Sequence, residues 1–536
     1  MNDVTIEREI VQFCWTTYFM FCNILSWCGV LALLVSCAGE EQTVRKEVLI
    51  RSSLDLRGYR PSLAEMEQGS KNEKQMRKMV ESFASAPEFG ERYAYMLNGF
   101  WKTEVVELDH TDHEYSMENY LELITSMGEE PLHIIQEIAD HDLPYSEIVT
   151  ADWTVNDEVL AEWAPVDYPV GETGWKKVHY TDGRPKAGIL VTNGLWWRFN
   201  STQNNAHRGR ANIITKNLLC DDFLDKQVVI DRNLNLLDEQ AVLDAIHHSP
   251  TCYGCHAALD PIAANFWGFY RHFRFSPDEQ FSYHPERERD WQTYTGTGPG
   301  YYGSPVENME DFARQISQDP RLYDCVVTRT MEQMYHRPVS VEDWEQKQEH
   351  LDKFVQSGYA LRALALSVAL DPVYQDSDTV KMVTIEMYAS QVEHITQFRY
   401  QVDAIDSIHT DLFGLRSMGG GSGEDYHHDA FVTPSPTFSL VVQRISEGAA
   451  YYVTHDEAAA NFFFDFDFQQ DQTADPEHLS HIYEKVMASP IPEEELATLT
   501  ALWTDAYDQN TSGSPSIGAW QMTLTYLFRH PLFLVY

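Results

Sequence analysis

Apolar positions recur at helical spacing through most of the chain, and the runs are closed by prolines rather than by strand-like alternation. Residues 44–127 read as helix. Within them Arg60-Pro61-Ser62-Leu63-Ala64-Glu65 is a stop followed by a capping box, in which Ser62 and Glu65 satisfy each other's end of a helix. That helix runs to Ala86-Pro87, and Glu88 to Arg92 opens another that ends near Trp101. Residues 128–180 begin helical and turn loop-rich, with Pro144, Pro165, Pro169 and Gly171. Lys186 to Gly194 reads as a short extended segment into a turn. Arg208 leads into a helix ending at Cys220, and Glu239 to His248 is a short helix. Residues 276–305, rich in Gly, Pro, Tyr and Ser, read as irregular loop. Helices resume from Val306 to about Leu370. Further helical patterning over 381–417 and 437–459 flanks Gly419-Gly420-Gly421-Ser422-Gly423, the flexible low point of the chain, and 476–536 closes it with more helix.

The punctuation repeats. Arg60-Pro61-Ser62 with Glu65 leads to Pro87-Glu88-Phe89. Arg337-Pro338-Val339-Ser340 with Glu342 and Asp343 leads to Asp371-Pro372-Val373-Tyr374. Ser489-Pro490-Ile491-Pro492 with Glu493 to Glu495 leads to His530-Pro531-Leu532-Phe533. These are three related helical hairpins, too unevenly spaced for a solenoid. A length of 536 residues exceeds one core, so the expectation is a mainly α, multi-domain protein. Its units are a leader over 1–37, an N-terminal helical domain over 44–127, a central region over 181–376 with irregular loops, and a C-terminal helical domain over 381–536.

Charge and the N-terminus narrow the setting. Against 39 Lys and Arg stand 82 Asp and Glu, a formal charge of −43 that repels phosphate backbones and argues against a nucleic-acid partner. From Val11 to Cys37 the chain is largely apolar and ends Leu34-Val35-Ser36-Cys37-Ala38-Gly39, a pattern similar to a bacterial lipobox. Processing there would leave a lipid-bearing Cys37 at the start of an exported chain, held at the cell envelope by acyl chains. Ala38 after the Cys favours the outer membrane, periplasmic or surface side. The acidic Asp3, Glu7 and Glu9 against Arg8 depart from the usual positive start, and an uncleaved membrane anchor is the rival reading.

One stretch carries chemistry. Cys252-Tyr253-Gly254-Cys255-His256 is a C-x-x-C-H run, the c-type haem attachment pattern. Two thiols three positions apart can each bond one vinyl-derived carbon of the porphyrin, and the His directly after the second Cys is placed under the iron as proximal ligand. A structural disulfide or half a zinc site is the alternative, but no second C-x-x-C completes a four-thiolate zinc set. Export agrees with covalent haem. Of eight Cys, Cys14, Cys22 and Cys28 lie in the leader, Cys37 would carry lipid, and Cys252 and Cys255 haem. Cys220 and Cys325 remain, either two buried thiols or a disulfide tying the segment before the motif to the helices after it.

The order of these pieces resembles the exported bacterial proteins called planctomycete-type cytochromes. The resemblance rests on Ser53 to Pro61 with Ser85 to Arg92, on Gly188-Ile189-Leu190, Arg208-Gly209-Arg210-Ala211-Asn212, Leu218-Leu219-Cys220 and Cys252 to Phe269, and on His336-Arg337-Pro338 with Ser357-Gly358-Tyr359 and Asp371-Pro372. The Cys-His-x-x-x-Asp-Pro signature is present as Cys255, His256, Asp260 and Pro261, while Leu259 stands where such proteins often have Met. The resemblance covers most of the mature chain and implies a cytochrome c-like haem domain in the middle, redox function and export, with no substrate.

The distal side of the iron is less legible. Met309, after the Gly-rich loop, is the first candidate; Met331, Met334, His207, His272 and His336 are alternatives, each of which also fits core packing or surface. Asp260-Pro261 is expected to turn the chain, with Asp260 capping the next helix. Phe266, Trp267, Phe269 and Tyr270 would shield a porphyrin or simply fill core, and Arg271 and Arg274 are candidates for its propionates. His110-Thr111-Asp112-His113 and Asp465, Asp467 and Asp471 are weak metal patterns. The reading is an exported monohaem c-type cytochrome lipoprotein that passes electrons to a redox partner protein. The alternatives are a haem enzyme (peroxidase or dehydrogenase subunit) and a surface binding protein with haem as a structural element. No catalytic residue is assigned.

Overall fold

The computed structural model describes residues 27–105 (backbone alone for 27–40), 117–202, 204–227, 234–235, 237–270, 277–375, 380–403, 405–421, 434–469, 475–510 and 514–536. The chain is mainly helical, as the pattern predicts. The expected leader falls partly on 1–26, outside the described residues. Trp27 to Cys37 belong to the backbone of α1, Trp27–Arg57. Among the described residues no helix is long and apolar enough to cross a membrane.

The three repeated stretches fold alike. In each, a leading helix ends on a residue with positive φ, a proline follows, two helices pack, and a Pro-x-aromatic closes the unit. The first runs α1, Gly58 (φ +83°), Pro61, α2 (Leu63–Gly69) and α3 (Glu73–Ala84), then Pro87-Glu88-Phe89 and α4 (Phe89–Trp101). A long helix α5, Met117–Asp140, and then α6 (Asn193–Arg198), α7 (Arg208–Leu219), α8 (Glu239–His248), α9 (Pro250–Ala263) and α10 (Met309–Gln318) separate it from the second unit. That unit runs α11 (Pro320–Tyr335), His336 (φ +54°), Pro338, α12 (Trp344–Gln356) and α13 (Leu361–Ala369), then Pro372-Val373-Tyr374. After α14 (Ile385–Thr396) and α15 (Pro436–His455), the third runs α16 (Pro476–Met487), Ala488 (φ +54°), Pro490, α17 (Glu493–Gln509) and α18 (Pro515–Phe528), then Pro531-Leu532-Phe533. The closing aromatics Phe89, Tyr374 and Phe533 are all buried. The first two units share a lock as well. Ser62 and Glu65, and Ser340 and Asp343, form capping boxes. Their acids are also gripped by both guanidinium arms of Arg57 (2.9 and 2.8 Å) and Arg337 (2.7 and 2.6 Å).

The units converge on Asp55 of α1. Its buried carboxylate accepts from Lys381 Nζ (2.7 and 3.0 Å), from the Tyr374 hydroxyl of the second unit (2.9 Å), and from the Tyr536 hydroxyl just past the third (3.0 Å). Lys381 and Tyr536 also exchange backbone hydrogen bonds. Burial alone would raise the Asp55 carboxyl; the adjacent Lys381 charge and hydrogen bond outweigh it and hold the group below its ordinary value.

Apolar side chains of residues 48–101, 132–155 and 187–374 pool in one cluster, with Phe83, Tyr93, Ile135, Ile214, Phe266 and Leu364 among its fully buried members. A second cluster spans Met382 to Phe533 and reaches back to Leu54. Strands are minor: among the described residues they form three two-stranded antiparallel hairpins, pairing Thr154 with Val178, Gly300 with Pro305 and Gln401 with Asp406.

Three local expectations change. Gly188–Val191 is a buried 3-10 turn, not an extended segment. A short apolar run has no period to separate the two states, and Gly188 (φ +52°) sits so close to Ile148 that a Cβ would lie 2.3 Å from its carbonyl oxygen. The stretch expected as irregular loop over 276–305 holds short helices at Pro277–Phe281 and Trp291–Tyr294 and the Gly300–Pro305 hairpin. In the glycine run, the described Gly419 and Gly421 are close-packed: a Cβ would meet Ile385 Cγ1 at 2.5 Å and Arg416 Cγ at 2.4 Å. Glycine there permits contact rather than mobility. Ser422 and Gly423 lie outside the described residues.

Candidate functional site

Pro250, at the first helical position, starts α9. The preceding helix α8, capped by Asp238 through the Ala241 N–H (3.1 Å), packs along it. On a helix, residues at i, i+3, i+4 and i+7 share a face. Cys252, Cys255, His256 and Leu259 therefore line one face, and all four are half-buried. Tyr253, Gly254 and Ala257 stand in solvent beside them, and a Cβ on Gly254 would meet nothing within 4 Å. Both thiols are free.

His256 is held from behind. Its Nδ1 lies 2.8 Å from Asp260 Oδ1, one helical turn on. The carboxylate is clamped by Arg208 of α7, which donates from Nε to Oδ1 (2.6 Å) and from Nη2 to Oδ2 (3.0 Å). Burial alone would raise the Asp260 carboxyl. The hydrogen bonds from His256 and Arg208 outweigh it and hold the group below its ordinary value. An ionised carboxylate only accepts, so Nδ1–H is the donor of this contact, and Nε2, across the ring, is left for another partner.

This arrangement corrects the expected turn at Asp260-Pro261. The helix continues through Pro261 to Ala263. Ile262, Ala263 and Phe266 are buried, and their packing offsets the cost of an internal proline, about 3 kcal/mol. Asn265 Nδ2 then donates to the Pro261 and Ile262 carbonyls at 3.1 Å, satisfying the helix end. Asp260 thus points back to His256 instead of capping a following helix.

The flanks explain the remaining motif residues. Arg210, buried under Trp196, donates to the carbonyls of Trp196 (2.9 Å), Phe199 (2.6 Å) and Tyr270 (2.7 Å), so α7 fastens both sides of the core beneath α9. Asn212 accepts from the Phe223 N–H at 2.7 Å. Phe266 and Phe269 pack on Trp196 at 5.0 and 4.8 Å, and Trp267 stacks on Tyr294 at 5.1 Å. At the end of α7, Cys220 is bonded to Cys325 of α11 in a disulfide across 105 residues. It joins the segment before the motif to the helices after it.

The other candidates sit on other elements. Met309 faces the core with Phe312 and Ile316 on the inner side of α10; Met331 and Met334 are fully buried in α11. His207 is buried at the start of α7, its Nδ1 3.0 Å from Arg210, its ring edge-on to Trp267. His336 is the αL residue closing α11, near Lys381 and Asp55. Asp467 accepts from the Gln469 N–H (2.9 Å), and Asp465 is a positive-φ residue. Asp471, His110, Asp112, His113, Arg271, His272 and Arg274 lie outside the described residues, as does the side chain of Cys37. Among the described residues no three or more His, Cys, Asp and Glu side chains gather as a metal site.

Arg208 is the residue whose place at the site was missed. The available signal was the i, i+4 spacing of His256 and Asp260, which puts both on one helix face; reading Asp-Pro as a turn hid it. Compared with protein-family models, curated proteins and solved structures, the chain has no match.

Proposed function

We propose that this chain is an exported, lipid-anchored monohaem c-type cytochrome that passes electrons between partners at the cell envelope. One observation carries the reading: a single half-open helix face presents two free thiols and an imidazole whose Nδ1 is already engaged. This donor set fits haem c. Cys252 and Cys255 would attach the porphyrin, and His256 would offer Nε2 to the iron. Haem, when bound, supplies one-electron chemistry at that iron. The chain's own part is to hold the ligand: Asp260 orients His256, Arg208 orients Asp260, and the Trp196–Phe266–Phe269 stack backs the helix. The resemblance to planctomycete-type cytochromes points the same way.

The test is an optical spectrum and intact mass of the full chain matured in a haem-attaching periplasm. The expected result is one haem that survives denaturation and solvent extraction, and its loss in Cys252→Ala/Cys255→Ala. A spectrum that persists in that variant refutes the assignment. Ready binding of carbon monoxide by the reduced protein would refute the pure carrier in favour of a haem enzyme.

A further inference from the structure

We infer that Asp260, anchored by Arg208, is a positioning residue that sets the tautomer of His256 and strengthens Nε2 as an axial donor. The inference rests on the haem reading of Cys252–His256. Its basis is local geometry. The imidazole Nδ1 and Asp260 Oδ1 are 2.8 Å apart, and the carboxylate is 5% exposed. Both Asp260 oxygens are gripped by the Arg208 fork at 2.6 and 3.0 Å, so the acceptor cannot rotate away. Arg208 belongs to α7, which the Cys220–Cys325 disulfide fastens to α11. The carboxylate is therefore placed by a second, covalently braced helix and not by α9 alone.

A proton on Nδ1 facing a carboxylate does two things. It leaves Nε2 unprotonated, as a metal requires, and it feeds negative charge into the ring, raising its basicity. More charge at the donor favours ferric over ferrous iron. A plain structural ion pair between Arg208 and Asp260 would affect stability and neither of these.

Two measurements separate the roles. In full-length chain made without haem attachment and labelled with 15N-histidine, His256 is assigned by difference from His256→Gln. It is then read at a pH above the ordinary histidine range. The expected wild-type form is Nδ1–H, with Asp260→Asn moving toward Nε2–H. In haem-loaded protein, Asp260→Asn is expected to raise the midpoint potential. A tenfold loss of ferric preference, the lower end of what outer-shell partners contribute, corresponds to about 59 mV. Arg208→Gln keeps the carboxylate and should leave the His256 tautomer closer to wild type than Asp260→Asn does. An Nε2–H form in the wild-type chain overturns the inference by itself, even if Asp260→Asn fails to fold. So does a folded Asp260→Asn with unchanged potential. Absence of covalent haem from the wild type instead overturns the haem reading and leaves the tautomer result to stand alone.

Discussion

Replacing Asp55 by Ala should separate the three helical units energetically. The Asp55 carboxylate and the Lys381 ammonium are 2% and 3% exposed, so neither charge has water to fall back on. Burial already pulls the Lys381 ammonium down to about 8, with Asp55 resisting that pull. Removing one member of a buried pair leaves the other uncompensated, at about 3–5 kcal/mol. The Tyr374 and Tyr536 hydroxyls lose their acceptor at the same time, which puts Asp55→Ala at the upper end. Lys381→Met should cost less, because the carboxylate keeps two hydroxyl donors. The neutral pair Asp55→Asn/Lys381→Met should lie within about 2 kcal/mol of wild type, since the desolvation of both charges disappears with them. Urea unfolding of the full chain, followed by circular dichroism and tryptophan fluorescence, reads all four proteins, and the Asp55→Asn single variant closes the double-mutant cycle. A cost for Asp55→Ala below about 1 kcal/mol, or a costlier Lys381→Met, would refute the reasoning from burial and pairing.

Three further expectations follow from other contacts. Cys220→Ser/Cys325→Ser opens a 105-residue loop; the chain-entropy figure is close to 4.7 kcal/mol and a realised loss of about 2–4 kcal/mol is expected, read as a lower melting point that added reductant no longer shifts. Ser340→Ala removes one half of a capping box and should cost about 1 kcal/mol, whereas Asp343→Ala, which also releases Arg337, should cost more; equal losses in thermal melts would contradict the shared lock. Glu129 and His409, 3.2 Å apart, form an ion pair sensitive to pH. Burial would raise Glu129, but the His409 charge outweighs it and holds the carboxyl near 2, while the Glu129 charge raises the imidazole to about 9. A lowered acid contributes above its ordinary 4.5 and a raised base below its ordinary 6.5. The pair is therefore fully present between about pH 4.5 and 6.5, fades outside that window, and is lost below about pH 2 and above about pH 9. With His409 46% exposed, its worth is screened to about 1 kcal/mol or less. The melting difference between wild type and Glu129→Gln should shrink as pH rises from about 6.5 to 9; a constant difference would count against the pair.

Legibility followed the reach of the interactions. The proline stops, the Ser62–Glu65 box and the helix over Glu239–His248 depend on residues within a few positions, and all are readable in sequence. The Asp55 junction is not: its partners are 319, 326 and 481 positions away, and nothing in Leu54-Asp55-Leu56 signals a buried acceptor. The Gly188–Val191 turn was misread because four apolar residues carry no period. At the site, Cys252, Cys255 and His256 were visible as a motif. Their support was not, because Arg208 reaches Asp260 across 52 positions and tertiary packing overrode the breaking tendency of Pro261.

The disulfide beside the motif also poses a sorting problem. Cys220, Cys252, Cys255 and Cys325 could combine in three complete pairings, only one of which joins Cys220 to Cys325. The fold makes that choice by geometry: Cys220 turns in the αL conformation at the end of α7, and its Cα lies 5.4 Å from that of Cys325 on α11. Docking α7 on α11 thus draws one oxidisable pair together and leaves the thiols of α9 reduced for other chemistry. A chain oxidised before those helices dock would scramble, so recombinant material should be judged first by which of these four of its eight cysteines remain titratable.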